Sequence, residues 1–81
     1  MTEADKMFEN LGYEKKDTYW KEDEQIHFIE YSTDEISIEF SIFTKHIMIT
    51  NLINIQELQA INKKCEELGW IEEWFDWKKN N

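Results

Sequence analysis

The side chains in this chain able to do acid–base, metal or nucleophilic chemistry are few: His27, His46, Cys65 and a scatter of carboxylates. A histidine beside a carboxylate such as Glu30 or Glu39 is the start of a metal site or a proton-transfer pair, because imidazole ligates metals and titrates near neutral pH. The strand register drawn below sends His27 to the core side near Phe40 and His46 to a hairpin end, so the two are not expected to converge. Cys65 falls on the inward stripe of a helix, where a free thiol packs as a small hydrophobe, and no local motif suggests the general base and solvent access that a nucleophile needs. As the sole cysteine it also excludes an intrachain disulfide and a C-x-x-C site. Gly12 and Gly69, the only glycines, both read as helix stops, which leaves no glycine-rich loop to cradle a phosphate. The acid runs Glu22-Asp23-Glu24, Glu66-Glu67 and Glu72-Glu73 with Asp76 lack the spacing and glycine of a calcium loop and read as a solvated hairpin loop and exposed helix faces. The expectation is a protein that is not an enzyme, with no catalytic residues, no cofactor and no metal.

Aromatics are the more telling set. The segment 70–77 holds Trp70, Trp74 and Trp77, three of the four tryptophans. Ile71, Trp74 and Phe75 follow i, i+3, i+4 spacing, so a short helix would turn one stripe inward and leave other aromatics outside. Tryptophan and tyrosine concentrate at protein interfaces because they bring large contact area and a polar handle. The segment therefore serves either to close the core or to bind a partner.

Eighty-one residues suffice for one domain with a modest core, and 41% hydrophobic with 15% aromatic residues is too apolar for a disordered chain. Nine bases against eighteen acids give a net charge of −9, and the lysines form no cluster able to neutralise a run of phosphates. Direct nucleic-acid binding is not expected. Such acidity fits plain solubility, or a DNA-mimic inhibitor that competes for a basic partner. No apolar run nears a membrane span, and the acidic start Met-Thr-Glu-Ala-Asp is unlike a signal peptide. Together with the lone cysteine this points to a cytoplasmic protein without membrane contact.

The positioning elements follow from periodicity. Ala4, Met7, Phe8 and Leu11 share one helical face, with Thr2 as N-cap and Gly12 as stop. A second helix opens at Asn54 with Glu57 completing a capping box, carries Ile55, Leu58, Ile61, Cys65 and Leu68 as its stripe, and ends at Gly69. Both helices finish alike, in Asn-Leu-Gly-Tyr and Glu-Leu-Gly-Trp, where glycine adopts the left-handed conformation and the following aromatic packs back on the last turn. Tyr13 and Trp70 thus read as structural first.

Four β-like runs lie between the helices: Tyr19 and Trp20, then 25–31, 35–43 and 46–50. The third alternates Ile36, Ile38, Phe40 and Ile42 with Ser37, Glu39 and Ser41, as a strand with one dry and one wet face must. Even loops at Thr33-Asp34 and Thr44-Lys45 pair Ile38 with Ile29, Tyr31 with Ile36, Phe40 with Ile49 and Ile42 with Ile47. The fold class is α+β: a two-layer αββββα arrangement in which both helices pack on one face of an antiparallel sheet of three to four strands. The same register sends Ile26 and Phe28 to the open face, with Tyr19, Ile26, Ser41 and Met48 in one row across it; an odd first loop would expose Ile29 and Tyr31 instead. Tyr19, Ile26, Phe28, Met48, Trp70, Trp74 and Trp77 are accordingly the candidate partner-binding residues.

The segments Lys-Met-Phe-Glu-Asn-Leu-Gly-Tyr-Glu (6–14) and Ile-Gln-Glu-Leu-Gln-Ala-Ile-Asn-Lys-Lys-Cys-Glu-Glu-Leu-Gly-Trp (55–70) resemble a group of small uncharacterised phage and prophage proteins of Firmicutes. The resemblance covers both helices, is looser over the strands, and does not extend to the Trp-rich tail. It implies a bacteriophage or prophage product made in the bacterial cytoplasm, and carries no catalytic residues or cofactor with it. The leading functional expectation is a non-enzymatic accessory protein that binds another protein, a host or phage nucleic-acid enzyme being the partner class in view. The alternatives are the acidic DNA mimic, a structural homo-oligomer, and a small hydrolase using His27 or His46.

Overall fold

A helix start needs partners for its first free N–H groups, and the chain supplies them at Thr2. In a computed structural model, which describes residues 1–19, 22 and 25–71, Asp5 N–H donates to Thr2 Oγ1 (3.2 Å) and Thr2 N–H donates back to Asp5 Oδ2 (3.4 Å). Helix α1 then runs Glu3–Asn10. The same reciprocal box, Glu57 N–H to Asn54 Oδ1 and Asn54 N–H to Glu57 Oε1, opens α2 at Ile55–Glu67.

Both helices end in a Schellman motif. Gly12, at φ 90°, donates to Glu9 C=O while Tyr13 N–H reaches Phe8 C=O; Gly69, at φ 77°, donates to Glu66 C=O while Trp70 N–H reaches Cys65 C=O. The aromatic after each glycine packs inward as its position requires. Tyr13 is buried edge-on against Phe8 (5.5 Å), and half-buried Trp70 lies against Phe40 (6.1 Å).

Between the helices β1 (Glu14–Tyr19), β2 (Ile26–Ser32), β3 (Ser37–Ser41) and β4 (His46–Ile49) form an antiparallel sheet in sequential order, giving the αββββα layout. Strand β1 begins five residues ahead of the expected Tyr19, in the charged run Glu14-Lys15-Lys16-Asp17. Local propensity argues against a strand there. Tertiary context decides it: Tyr13 anchors the chain beside Phe8, and the next residues have the β2 edge to pair with.

The turns sit one residue away from the expected places, and this changes the register. Thr33 N–H donates to Ile36 C=O (2.8 Å), and Thr33 Oγ1 accepts from the Glu35 and Ile36 N–H groups, so the first loop is Asp34-Glu35. Tyr31 consequently faces Ile38 and Ile29 faces Phe40. The second turn spans 42–45, closed by Lys45 N–H to Ser41 C=O (2.9 Å) with Lys45 in the left-handed region (φ 57°), and it pairs Ile38 with Ile49 and Phe40 with Ile47. Each pairing is two residues from expectation. Both loops remain even, so Ile29, Tyr31, Ile38 and Phe40 keep their face.

The core lies between the helices and the middle of the sheet. Phe8 stacks on Tyr31 (3.9 Å between centroids, 13° between planes), and Phe40 meets both edge-on. Ile29, Ile36, Ile38, Ala60, Ile61 and Cys65 complete it. Strand β4 contributes nothing to this buried set: all four of its residues are exposed, the helix-side Ile47 and Ile49 included.

Candidate interaction surface

The inner face of α2 differs from the stripe expected of it. Ala60, Ile61, Lys64 and Cys65 are buried, whereas Ile55 is 65% exposed and Leu58 is also exposed. At about 100° per residue, Ile55 stands about 120° round the helix from Ile61 on one side and Lys64 about 60° on the other. The helix has turned toward its lysine.

A buried ionic cluster explains the turn. Asp5, at the start of α1, accepts from Tyr31 Oη (2.5 Å) and Lys15 Nζ (3.0 Å), and Lys64 Nζ stands 3.7 Å from its Oδ1. Lys64 also lies 3.9 Å from Glu67 Oε1 and 5.9 Å from the Tyr31 ring centre. Glu67 Oε2 in turn accepts from Ala4 N–H (2.9 Å), a carboxylate at the positive end of α1. At the opposite end of the antiparallel helix pair Tyr13 Oη donates to Glu57. Burial alone would push the Asp5 carboxyl up; the hydrogen bonds from Tyr31 and Lys15 and the charges of Lys64 and Lys15 outweigh it and hold the group at about 2. Burial and the facing carboxylates push the Tyr31 and Tyr13 hydroxyls well above the usual tyrosine range. These contacts fix α2 in the rotation that leaves Ile55 and Leu58 outside.

Among the described residues the two histidines and the cysteine do not come together. His27 is buried on the helix side with its ring against Phe43 (4.5 Å), while His46 sits opposite Ser41 on the open face, so the sheet separates them. Cys65 is buried and its thiol pushed up by burial, away from the thiolate that nucleophilic attack needs. Among the described residues no three His, Cys, Asp or Glu side chains converge as a metal-binding set, and no helix is long and apolar enough to cross a membrane. Asp17 Oδ1 is buried without a hydrogen-bond partner among the described residues.

The corrected register also dissolves the expected apolar row on the open face. Met48 stands opposite Glu39, which faces Glu30 and then Lys16; Ser41 stands between Phe28 and His46. That face is mainly polar, with acids and a lysine interleaved and Phe28 half-buried among them. Tyr19 is exposed and paired with Ile26 across the β-bulge that skips His27, but Ile26 packs against the core. Trp70, by its contact with Phe40, closes the core. Trp74 and Trp77 lie outside the described residues, as do Trp20, Asp23, Glu24, Glu72, Glu73, Phe75 and Asp76.

Six of the nine exposed large apolar side chains among the described residues lie along β4, the connection after it and the first turns of α2: Ile47, Met48 (62% exposed), Ile49, Leu52 (93%), Ile55 and Leu58. Between Lys45 and Glu57 the sequence has no Asp, Glu, Lys or Arg at all. Among the described residues nothing pairs with the outer side of β4. Thr50 N–H donates to Ser37 C=O (3.1 Å), so by the alternation of an antiparallel ladder His46 and Met48 turn their N–H and C=O toward β3 while Ile47 and Ile49 turn theirs outward. The opposite edge, β1, is guarded by Lys15, Lys16 and Asp17, the usual protection against stray pairing. Sequence reasoning placed Ile47, Ile49, Ile55 and Leu58 in the core. The available signal was the missing charge, since a segment long enough for a strand, a loop and a helix start that carries none is seldom all surface and all solvated.

Comparison with protein families, with curated proteins and with solved structures finds no match.

Proposed function

We propose that the chain is a non-enzymatic accessory protein, of the phage or prophage kind its helices resemble, that works by binding protein through the β4 edge and the start of α2. One observation carries this reading: β4 is an edge strand that no described residue pairs on its outer side, and it belongs to a charge-free stretch of sequence that carries exposed Ile47, Ile49, Leu52 and Ile55. Edge strands of this sort are completed by strand addition, in which backbone hydrogen bonds supply affinity and flanking apolar contacts supply specificity. The buried positions of His27 and Cys65 favour this over a hydrolase.

Leu52 and Ile55 are so exposed that replacing both with glutamate leaves the core untouched. Immobilised wild-type chain is expected to retain a specific protein, its own or foreign, that Leu52→Glu/Ile55→Glu retains at least tenfold less. Equal retention by the two would contradict the assignment of the surface.

A further inference from the structure

The chemistry of that surface selects its occupant. A basic partner would be drawn to the acids that give the chain its charge of −9, and these are absent from the whole stretch between Lys45 and Glu57. The stretch can only suit a surface that is itself neutral and apolar, with an unpaired strand to offer. Strand β4 is such a strand. Two copies carry the same net charge of −9, and their mutual repulsion is weakened where the sequence carries no charge, as between Lys45 and Glu57.

We infer that the occupant is a second copy of the chain, the two β4 strands pairing antiparallel about a twofold axis at Met48; this rests on the interaction reading above. Ile47 and Ile49 carry the outward-turned main-chain groups. Centring the axis on Met48 sets Ile47 of each copy against Ile49 of the other, so both residues of both copies exchange hydrogen bonds. Met48 then faces Met48 at the closely spaced, non-hydrogen-bonded position on the open face, while the isoleucines continue one apolar helix-side face across the joint. An isologous contact of this kind is self-limiting. The sheets merge into one of eight strands, twice the four of a single copy, and its outer edges are the lysine-guarded β1 strands. The six exposed side chains amount to on the order of 600 Å² per copy, enough for about 1,000 Å² or more in a pair, the lower range of specific interfaces.

Sedimentation velocity on the full chain, from micromolar to near-millimolar concentration and at low and high salt, tests this. The expected result is a species of twice the 10.0 kDa monomer mass, favoured by salt because screening weakens the mutual repulsion. Met48→Lys sets like charges directly opposite each other at the axis while leaving a solvent-exposed side chain in the monomer, and is expected to weaken association about tenfold or more; Met48→Leu is expected to retain it. A wild type that stays monomeric overturns the inference, and so does a dimer indifferent to Met48→Lys. A monomeric wild type that still retains a foreign protein in a Leu52→Glu/Ile55→Glu-sensitive way overturns the second copy as occupant and leaves the interaction reading standing; absence of both removes both.

Discussion

Asp5→Ala is expected to destabilise the fold by about 3 kcal/mol, because it takes from buried Lys64 the nearer and more buried of its two carboxylates and from the Tyr31 hydroxyl its acceptor. A chain of this length has on the order of 4–12 kcal/mol to lose, so the thermal midpoint should fall steeply. Removing the charge from both sides, as Asp5→Leu with Lys64→Met, should recover much of the loss, since the expensive state is one buried charge alone. The pH dependence follows the same groups. The Asp5 carboxyl titrates at about 2 in the fold against an ordinary 3.8, so its contribution is fully present above 3.8 and lost as pH falls through that value toward 2. A shift of this size is worth roughly 2 kcal/mol. Tyr31 and Tyr13 are raised above the ordinary 10, so their contribution is fully present below pH 10 and lost as pH climbs beyond it. Urea midpoints taken across pH should therefore show a plateau with an acid and an alkaline limb, and Asp5→Asn should flatten the acid one.

Phe8→Ala is expected to cost about 3–5 kcal/mol, the range for removing a fully buried aromatic ring. Phe8 is wholly buried, stacks on Tyr31 and meets Tyr13 and Phe40 edge-on, so its loss opens a cavity bounded by α1, the helix end and two strands. Neighbouring rings cannot close that space. Tyr31 is tied to Asp5 through its hydroxyl and Tyr13 to Glu57 through its own. Phe8→Leu should lose markedly less by retaining most of the volume. Differential scanning calorimetry on the two variants checks both the size and the order of the effects.

The α+β architecture was legible because its signals are local. Thr2, Asn54 and Glu57 announce helix starts, Gly12 and Gly69 announce stops, and Ile36 to Ile42 alternate too regularly for anything but a strand. The faces of the sheet were legible too. Parity survives a turn displaced by one residue, so Ile29, Tyr31, Ile38 and Phe40 fall inward under the observed register as under the expected one. The register itself was not, since Thr33 could open the first turn or sit in it, and only its hydroxyl bonds to Glu35 and Ile36 decide.

The interaction surface was illegible for a different reason. An amphipathic stripe counts apolar side chains and treats lysine as outward, so it oriented α2 by Ile55 and Leu58 and away from Lys64. A lysine 5% exposed and held by an aspartate from the other end of the sequence reverses that preference, and nothing near position 64 signals the partner at position 5. The ionic cluster and the apolar surface are thus linked: the first sets the helix rotation, and the rotation leaves Ile55 and Leu58 for the second. For β4 the alternation was read correctly and the coverage was not, since an inward-facing position guarantees burial only where a helix lies over it, and Ile47 and Ile49 stay exposed.

The most direct measurement of the β4 edge as an interaction surface is amide hydrogen exchange at Ile47, Met48 and Ile49 in dilute and in concentrated solution. In the dilute chain Met48 N–H, turned toward β3, should exchange slowly, and Ile47 and Ile49 N–H, turned to the open edge, should exchange fast. Raising the concentration should slow Ile47 and Ile49 by tenfold or more and leave Met48 unchanged. Ile47 and Ile49 amides that exchange at the same rapid rate at every concentration, and with any retained partner added, would contradict the account.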